Sequence, residues 1–281
     1  MEHPAYSQLR PVTPSVGVVL CPNPSYAALE GTNSWIIRAP GDTASVVVDP
    51  GPEDEGHLNV LRAAATEGGA HIALILLTHR HTDHADGAER FRQLSGAPVR
   101  AVDLRNCLGG EVLEDGERIT VEGLTPTIEV VRTPGHTGDS ACFFIHTRGG
   151  EDDADVEGIM TGDTIAGRHT TMISETDGDL GEYLRSLATL RDRGRGVPLL
   201  PGHGPDQPDT AELAQKYIDR RELRLSQVRD AVAELGPEAS VGEIVDRIYT
   251  DVDPVLRDAA KQSTRVTLRY LENAGNAAPT A

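Results

Sequence analysis

Seven residues from His79 to His203 read together as one metal site. Four of them crowd into one stretch, Thr78-His79-Arg80-His81-Thr82-Asp83-His84. The others arrive singly, each in a glycine-containing turn after an apolar run: His136 in Thr-Pro-Gly-His-Thr, Asp163 in Met-Thr-Gly-Asp-Thr and His203 in Leu-Pro-Gly-His-Gly. Five imidazoles and two carboxylates are enough donors for two borderline cations held side by side. The chemistry such a pair supports is metal-assisted hydrolysis. A lone Gly-His-Gly is more often an ordinary turn, so it is the whole set that points to a site.

The elements that must position these donors can be read from periodicity. Residues 71–77 (His-Ile-Ala-Leu-Ile-Leu-Leu) are almost wholly apolar and β-branched in part, as expected of a strand buried on both faces. His79 and His81 follow it two apart, so in extended geometry their rings point to the same side. Strand-like runs are expected at 16–20, 34–37, 45–48, 99–102, 127–132, 141–145, 158–161 and 197–200, with helices over 55–67, 86–94 and 181–190. Residues 149–157, acidic and turn-rich, are expected to form an exposed hairpin connection. Each later ligand follows an apolar run, which places all of them on one rim of a sheet.

After Pro208 the pattern becomes helical. A long helix is expected from Thr210 to about Leu235, then a capping box at Ser240 and Glu243 opening a helix over 241–249, and a last helix from Asp253-Pro254 to about Asn273. The expected division is residues 1–207, a mixed α/β domain, and 208–281, a small all-α domain. No run reaches the roughly 18 apolar residues of a membrane span, and no signal peptide is readable. Three scattered cysteines (Cys21, Cys107, Cys142) argue against a disulfide framework and for a reducing cytoplasm. A net charge of −18 repels polyanions at long range.

Residues 78–84 with His136, Asp163 and His203 resemble the metallo-β-lactamase superfamily, and Asp49 in Val-Val-Val-Asp-Pro-Gly matches its first motif. The resemblance covers about residues 15–205. It implies a four-layer αββα sandwich with the metals at one sheet edge. It also implies that His79, His81 and His136 bind a first zinc ion and Asp83, His84 and His203 a second. Asp163 would bridge the two, and Asp49 would stand behind the ligands and order their loop. Antibiotic-hydrolysing members commonly lack the bridging Asp and use a cysteine ligand, whereas Asp163 is present here and Cys142 lies off the motif. The flavo-diiron branch would want Glu at position 81, where imidazole favours zinc. The pattern looks like glyoxalase II, the tRNA-processing nucleases and their relatives. Residues 29–35, residues 170–173 and the C-terminal helices are similar to the β-lactamase-like endoribonuclease subgroup, in which a winged-helix-like domain follows the hydrolase domain. The 251–254 turn fits that pattern, although no β-wing is visible.

Two zinc ions about 3.5–4 Å apart would share a water and bring its pKa toward ~7, giving a bridging hydroxide that attacks carbon or phosphorus. Asp83 would orient it and receive its proton, and Asp163 would share the catalytic role. Substrate-binding candidates are Asn33 and Trp35 on a first rim loop and Arg168 and His169 after Asp163. His3, His57, His71 and His146 have no ligand-like context. Arg220, Arg221 and Arg224 mark a basic helical stretch interleaved with acids, which reads first as a solvated face. The apolar faces of these helices would pack on the larger domain, cover the cleft or form a homodimer contact. Three functions follow: a hydrolase of a small ester, thioester or amide; an endoribonuclease on single-stranded RNA; and a non-catalytic nucleic-acid-binding or regulatory protein with a structural metal. A basic track from the cleft to the C-terminal helices would favour RNA, and a damaged ligand set would favour the third.

Overall fold

The computed structural model describes residues 3–147, 149, 152–236, 238–250 and 253–276. Strands β1 (Leu9–Pro11), β2 (Val16–Leu20), β3 (Asn33–Ile37) and β4 (Ala44–Val48) run antiparallel in order. Helix α1 (Glu55–Ala65) leads to β5 (His71–Leu76), which pairs parallel to β4. The short α2 (Thr82–Ala85) and α3 (Ala88–Ser95) then lead to β6 (Val99–Arg100), parallel to β5 and last in this six-stranded sheet. A second sheet contains β7 (Arg118–Ile119), β8 (Thr127–Arg132), β9 (Ala141–His146) and β10 (Val156–Gly162) in antiparallel succession. Helix α4 (Leu180–Arg193) crosses back to β11 (Leu199–Pro201), which pairs parallel to β10 and completes the order β11-β10-β9-β8-β7.

Strand alternation sorts the apolar residues into layers. Val46, Val48, Leu74 and Leu76 of the first sheet meet Val130, Phe143, Ile145 and Met160 of the second. The opposite faces are covered by helices. Val47, Ile75 and Leu77 pack on Leu58, Leu61 and Phe91, while Cys142, Phe144 and Ile159 pack on Tyr183, Leu187 and Tyr217. This is the expected αββα sandwich. β5 is apolar from Ile72 onward because both of its faces are roofed, by the other sheet on one side and by α1 and α3 on the other.

Beyond β11 the described residues form helices and no strand: α5 (Thr210–Leu235), α6 (Val241–Ile248) and α7 (Arg257–Asn276). Ser240 and Glu243 make the expected capping box. Helix α5 serves two cores. Ala214, Tyr217 and Ile218 of its first half pack in the outer layer of the sandwich, whereas Val228 and Ala231 of its second half pack on Ile244 of α6. β9 and β10 pair antiparallel on either side of the connection expected at 149–157, with β10 starting inside it at Val156; its residues 150 and 151 lie outside those described, as do Asp251 and Val252 of the 251–254 turn. Sequence periodicity did not indicate β1 or β7, because two or three residues carry no period. No helix among the described residues is long and apolar enough to cross a membrane.

One buried histidine sets a pH limit on the fold. His57, near the start of α1, hydrogen-bonds Ser34 Oγ through Nε2 at 2.9 Å, and its Nδ1 is buried without a partner. Burial pushes its pKa down from 6.5 to about 4, against the opposing charge of Asp54. The folded state therefore holds it neutral while the unfolded chain takes up a proton below 6.5. Its contribution is intact above pH 6.5, and about 3 kcal/mol is lost as the pH falls to 4. The urea midpoint of the wild type is expected to drop more between pH 7 and 4.5 than that of His57→Gln. Equal drops would show that His57 carries none of the effect.

Candidate metal centre

The seven donors meet at one rim, where β4, β5, β10 and β11 end. β5 delivers Thr78–His81 and α2 turns Asp83 and His84 inward. Asp163 follows β10 directly, and His203 lies two residues beyond β11. His136 comes from the loop between β8 and β9, which packs against the start of α4 with no room to spare. A Cβ on Gly135 (φ 137°) would lie 2.3 Å from Tyr183 Cα. The outer helices fasten these loops by their carbonyls. Tyr183 Oη donates to Thr164 O at 2.7 Å, Tyr217 Oη to Ala166 O at 3.0 Å and Ser186 Oγ to Pro134 O at 2.7 Å.

The donors form two groups. His79, His81, His136 and Asp163 have ligand atoms within 4.8 Å of one another, and so do Asp83, His84 and His203. His81 Nδ1 lies 3.0 Å from both His79 Nε2 and His136 Nε2, and His84 Nε2 lies 3.1 Å from His203 Nε2. Asp163 stands between the groups, with Oδ1 3.4 Å from His84 Nε2 and Oδ2 3.7 Å from His136 Nε2.

What faces inward follows from what is fixed outside. Asp49, fully buried at φ 51°, accepts from Thr78 N (2.8 Å), Thr78 Oγ1 (2.6 Å) and His84 Nδ1 (2.8 Å). The Thr78 hydroxyl proton is thereby used, so Thr78 Oγ1 accepts from His79 Nδ1 at 3.0 Å. His203 Nδ1 donates to Gly31 O at 3.1 Å, and His136 Nδ1 donates to Met172 O. For His79, His84, His136 and His203 the inner nitrogen of the neutral ring is therefore a lone pair. The lone pairs of His84 and His203 face each other at 3.1 Å and need a proton or a cation between them, and His81 Nδ1 lies 3.0 Å from the lone pairs of both His79 and His136. Ligand nitrogens on a tetrahedral zinc ion stand about 3.3 Å apart, given bonds of about 2.0–2.1 Å. Asp163 Oδ1 is buried with no hydrogen-bond partner, which leaves it an open valence at the same spot. The donors fit a pair of cations.

Electrostatics agree with this fit. Burial, with the neighbouring imidazoles, holds His79 well below the ordinary histidine range; burial lowers His81 and His136 as well. Burial also opposes charge on His84 and His203, but the carboxylate of Asp163 outweighs it, helped by Asp49 and Asp83 respectively, and raises both. Without a cation, a proton takes that place. Burial would raise the Asp83 carboxyl, yet the hydrogen bond from His203 (3.1 Å) and the charge of His84 bring it down to about 2. Asp163 is held well below its usual range by His203 and His84, despite burial. Asp83 is half-buried, its side chain 33% exposed.

A family model described as the metallo-beta-lactamase superfamily matches residues 27–203. The chain belongs to this superfamily. A second, described as a beta-lactamase associated winged helix domain, matches residues 240–280 of this superfamily member. An atrochrysone carboxyl ACP thioesterase of Aspergillus fumigatus is 29% identical over 252 residues, covering 85% of this chain and 74% of that protein. A beta-lactamase-like protein 2 homolog of Caenorhabditis elegans is 25% identical over 279 residues, covering 95% and 88%. A beta-lactamase domain protein from Burkholderia ambifaria shares the fold, with a TM-score of 0.77 at 20% identity over 97% of this chain and 90% of that one. The chain is a metallo-β-lactamase superfamily hydrolase, and its superfamily is metal-dependent.

The remaining candidates divide. Asn33 and Trp35 are buried, and their donors are used inside the protein. Asn33 Nδ2 donates to Pro201 O (3.0 Å) and Gly204 O (2.8 Å), and Trp35 Nε1 donates to Pro201 O (3.2 Å). They brace the His203 loop instead of facing substrate, which corrects the rim role expected of them. Arg168 and His169 are exposed at the rim. Arg168 pairs with Glu30, and His169 (φ 70°) stacks on Tyr26 with ring centroids 6.3 Å apart. Of the basic stretch Arg220, Arg221 and Arg224 on α5, two side chains turn inward: Arg221 donates to Thr171 O and lies over the Tyr183 ring, and Arg224 lies 3.9 Å over Tyr249. Sequence reasoning missed the carbonyls of Gly31 and Met172 and the Asp177 carboxylate. Burial opposes charge on Asp177, but hydrogen bonds from Arg80 and Ser174 bring it to about 2, tying residues 174–177 to the His79–His81 turn. Main-chain acceptors leave no mark in a sequence.

Proposed function

We propose that the chain hydrolyses an ester, thioester or amide of a small molecule with two zinc ions held by His79, His81 and His136 on one side and Asp83, His84 and His203 on the other, with Asp163 shared. The convergence of inward lone pairs, each fixed by an outer hydrogen bond, is the observation that carries this reading. Bound zinc would acidify a shared water and polarise the acceptor oxygen of the substrate. Asp83, ionised at neutral pH and a third exposed, would orient that water, take its proton and pass it to solvent. Asp163 balances charge between the two groups. Arg168 and His169 meet the substrate at the rim. Residues 1–207 carry the chemistry and 208–281 back it.

A thioester leads the substrate classes because the Aspergillus relative is named a thioesterase. RNA ranks below, since Arg221 and Arg224 are occupied within the fold and the overall charge is −18. The cytoplasm is the proposed location. All three cysteines are free, and burial pushes the Cys21 and Cys142 thiols up to about 12, so neither is poised to oxidise. The zinc-loaded protein, assayed on thioesters, lactones, lactams and unstructured RNA, is expected to turn over thioesters or lactones. Asp83→Ala is expected to lower kcat/KM by roughly 10²–10³. RNA cleavage without ester turnover, lost in the same variant, would replace this reading with the nuclease.

A further inference from the structure

Residues 171–175 form a strap between the metal centre and the C-terminal helices, and its main-chain groups alternate between the two. Thr171 O accepts from Arg221 of α5, Ile173 O accepts from Gln262 Nε2 of α7 at 2.9 Å, and Glu175 O accepts from Arg269 Nη1 of α7 at 3.1 Å. Between them, Met172 O accepts from His136 Nδ1, and Ser174 N donates to His136 O at 2.9 Å. The Ile173 side chain is buried in the outer core beside Tyr183 and Val266. Arg221 has no carboxylate partner among the described residues, so its guanidinium serves the strap and the Tyr183 ring.

We propose that Gln262, Arg269 and Arg221 are positioning residues for the metal centre: they hold the strap in the register that presents the Met172 carbonyl to His136. The proposal rests on the paired-cation reading above. Its physical content is a difference between the two donor groups. His84 and His203 take their orientation from Asp49 and Gly31, which lie within the sandwich. His136 takes its orientation from a strap with no regular secondary structure, whose Thr171, Ile173 and Glu175 carbonyls are held by helices from the far end of the chain. Release of the strap frees His136 Nδ1 to lose its acceptor, and the inner nitrogen is then no longer fixed as a lone pair. Only the group containing His79, His81 and His136 feels this. Through the strap, the C-terminal helices thereby support one cation and not the other.

The test is zinc titration against a chromophoric chelator with the full-length protein, comparing wild type, Gln262→Leu, Arg269→Met and Gln262→Lys. Wild type is expected to bind two equivalents. Gln262→Leu and Arg269→Met are expected to weaken one equivalent about 10- to 100-fold and leave the other within about twofold. Gln262→Lys, which keeps an N–H donor, is expected to recover most of the loss. In the zinc-loaded protein the ring nitrogen resonances of His136 should move and those of His203 should not. Arg269 is exposed, so its variant reports even if Gln262→Leu fails to fold. Equal weakening of both equivalents overturns the proposal, as does a lower melting temperature with both affinities unchanged. A wild type that binds two zinc ions while every variant does the same overturns this proposal alone. A wild type that binds none overturns the paired-cation reading along with it.

Discussion

Asp163→Asn is expected to lower kcat/KM by roughly 10⁴, about 5 kcal/mol of transition-state stabilisation. The substitution preserves shape and removes one negative charge. That charge is the one both donor groups share, at 3.4 and 3.5 Å from His84 and His203 and 3.7 Å from His136. Asp83→Ala touches one group and leaves the other intact, so its effect should be smaller. Steady-state kinetics on the substrate found by the panel, with zinc content measured on the same samples, separate lost metal from lost chemistry. A variant with two zinc ions and more than a tenth of wild-type kcat/KM would show that Asp163 is not the shared ligand.

Gly135→Ala is expected to cost at least about 4 kcal/mol of stability, or to prevent folding altogether. Two effects combine there. A φ of 137° is rarely adopted by any residue with a Cβ, and the added methyl would sit 2.3 Å from Tyr183 Cα and 2.4 Å from its amide nitrogen, atoms of a helix backbone that cannot swing aside. Gly41→Ala is the matched control: its φ is 92°, with nothing within 4 Å of the new carbon, so only the conformational term of about 1–3 kcal/mol remains. Urea unfolding of the two variants measures the difference. If Gly135→Ala is no less stable than Gly41→Ala, the close approach of the His136 turn to α4 is not a constraint.

The donor set was legible because ligand chemistry restricts residue types and because each donor follows an apolar run. Chain direction then sends every run's end to the same rim, and the structure brings His79, His81, Asp83, His84, His136, Asp163 and His203 together there. The layers were legible for a related reason. A run such as Ile72–Leu77 has no polar face, so it requires cover on both sides. Asn33 and Trp35 show where this stops. A polar residue and an indole at the start of a strand resemble a substrate rim, and nothing local reveals that their donors are used by carbonyls about 170 residues later. The same holds for Met172 and Gly31, whose roles belong to the backbone and not to side-chain identity.

Helix α5 has a consequence for how the molecule can be divided. Its first half completes the roof over Phe144 and Ile159, and its second half is the floor on which α6 rests. A graft that exchanges the C-terminal part at residue 207 would strip Ala214, Tyr217 and Ile218 from the hydrolase half and leave bare apolar surface. A junction past Leu225, inside the helix, keeps the α5 side chains of the sandwich with it and parts the hydrolase half only from what α7 adds to the outer core through Val266. Relatives that trade one tail for another must therefore carry the front of this helix with them.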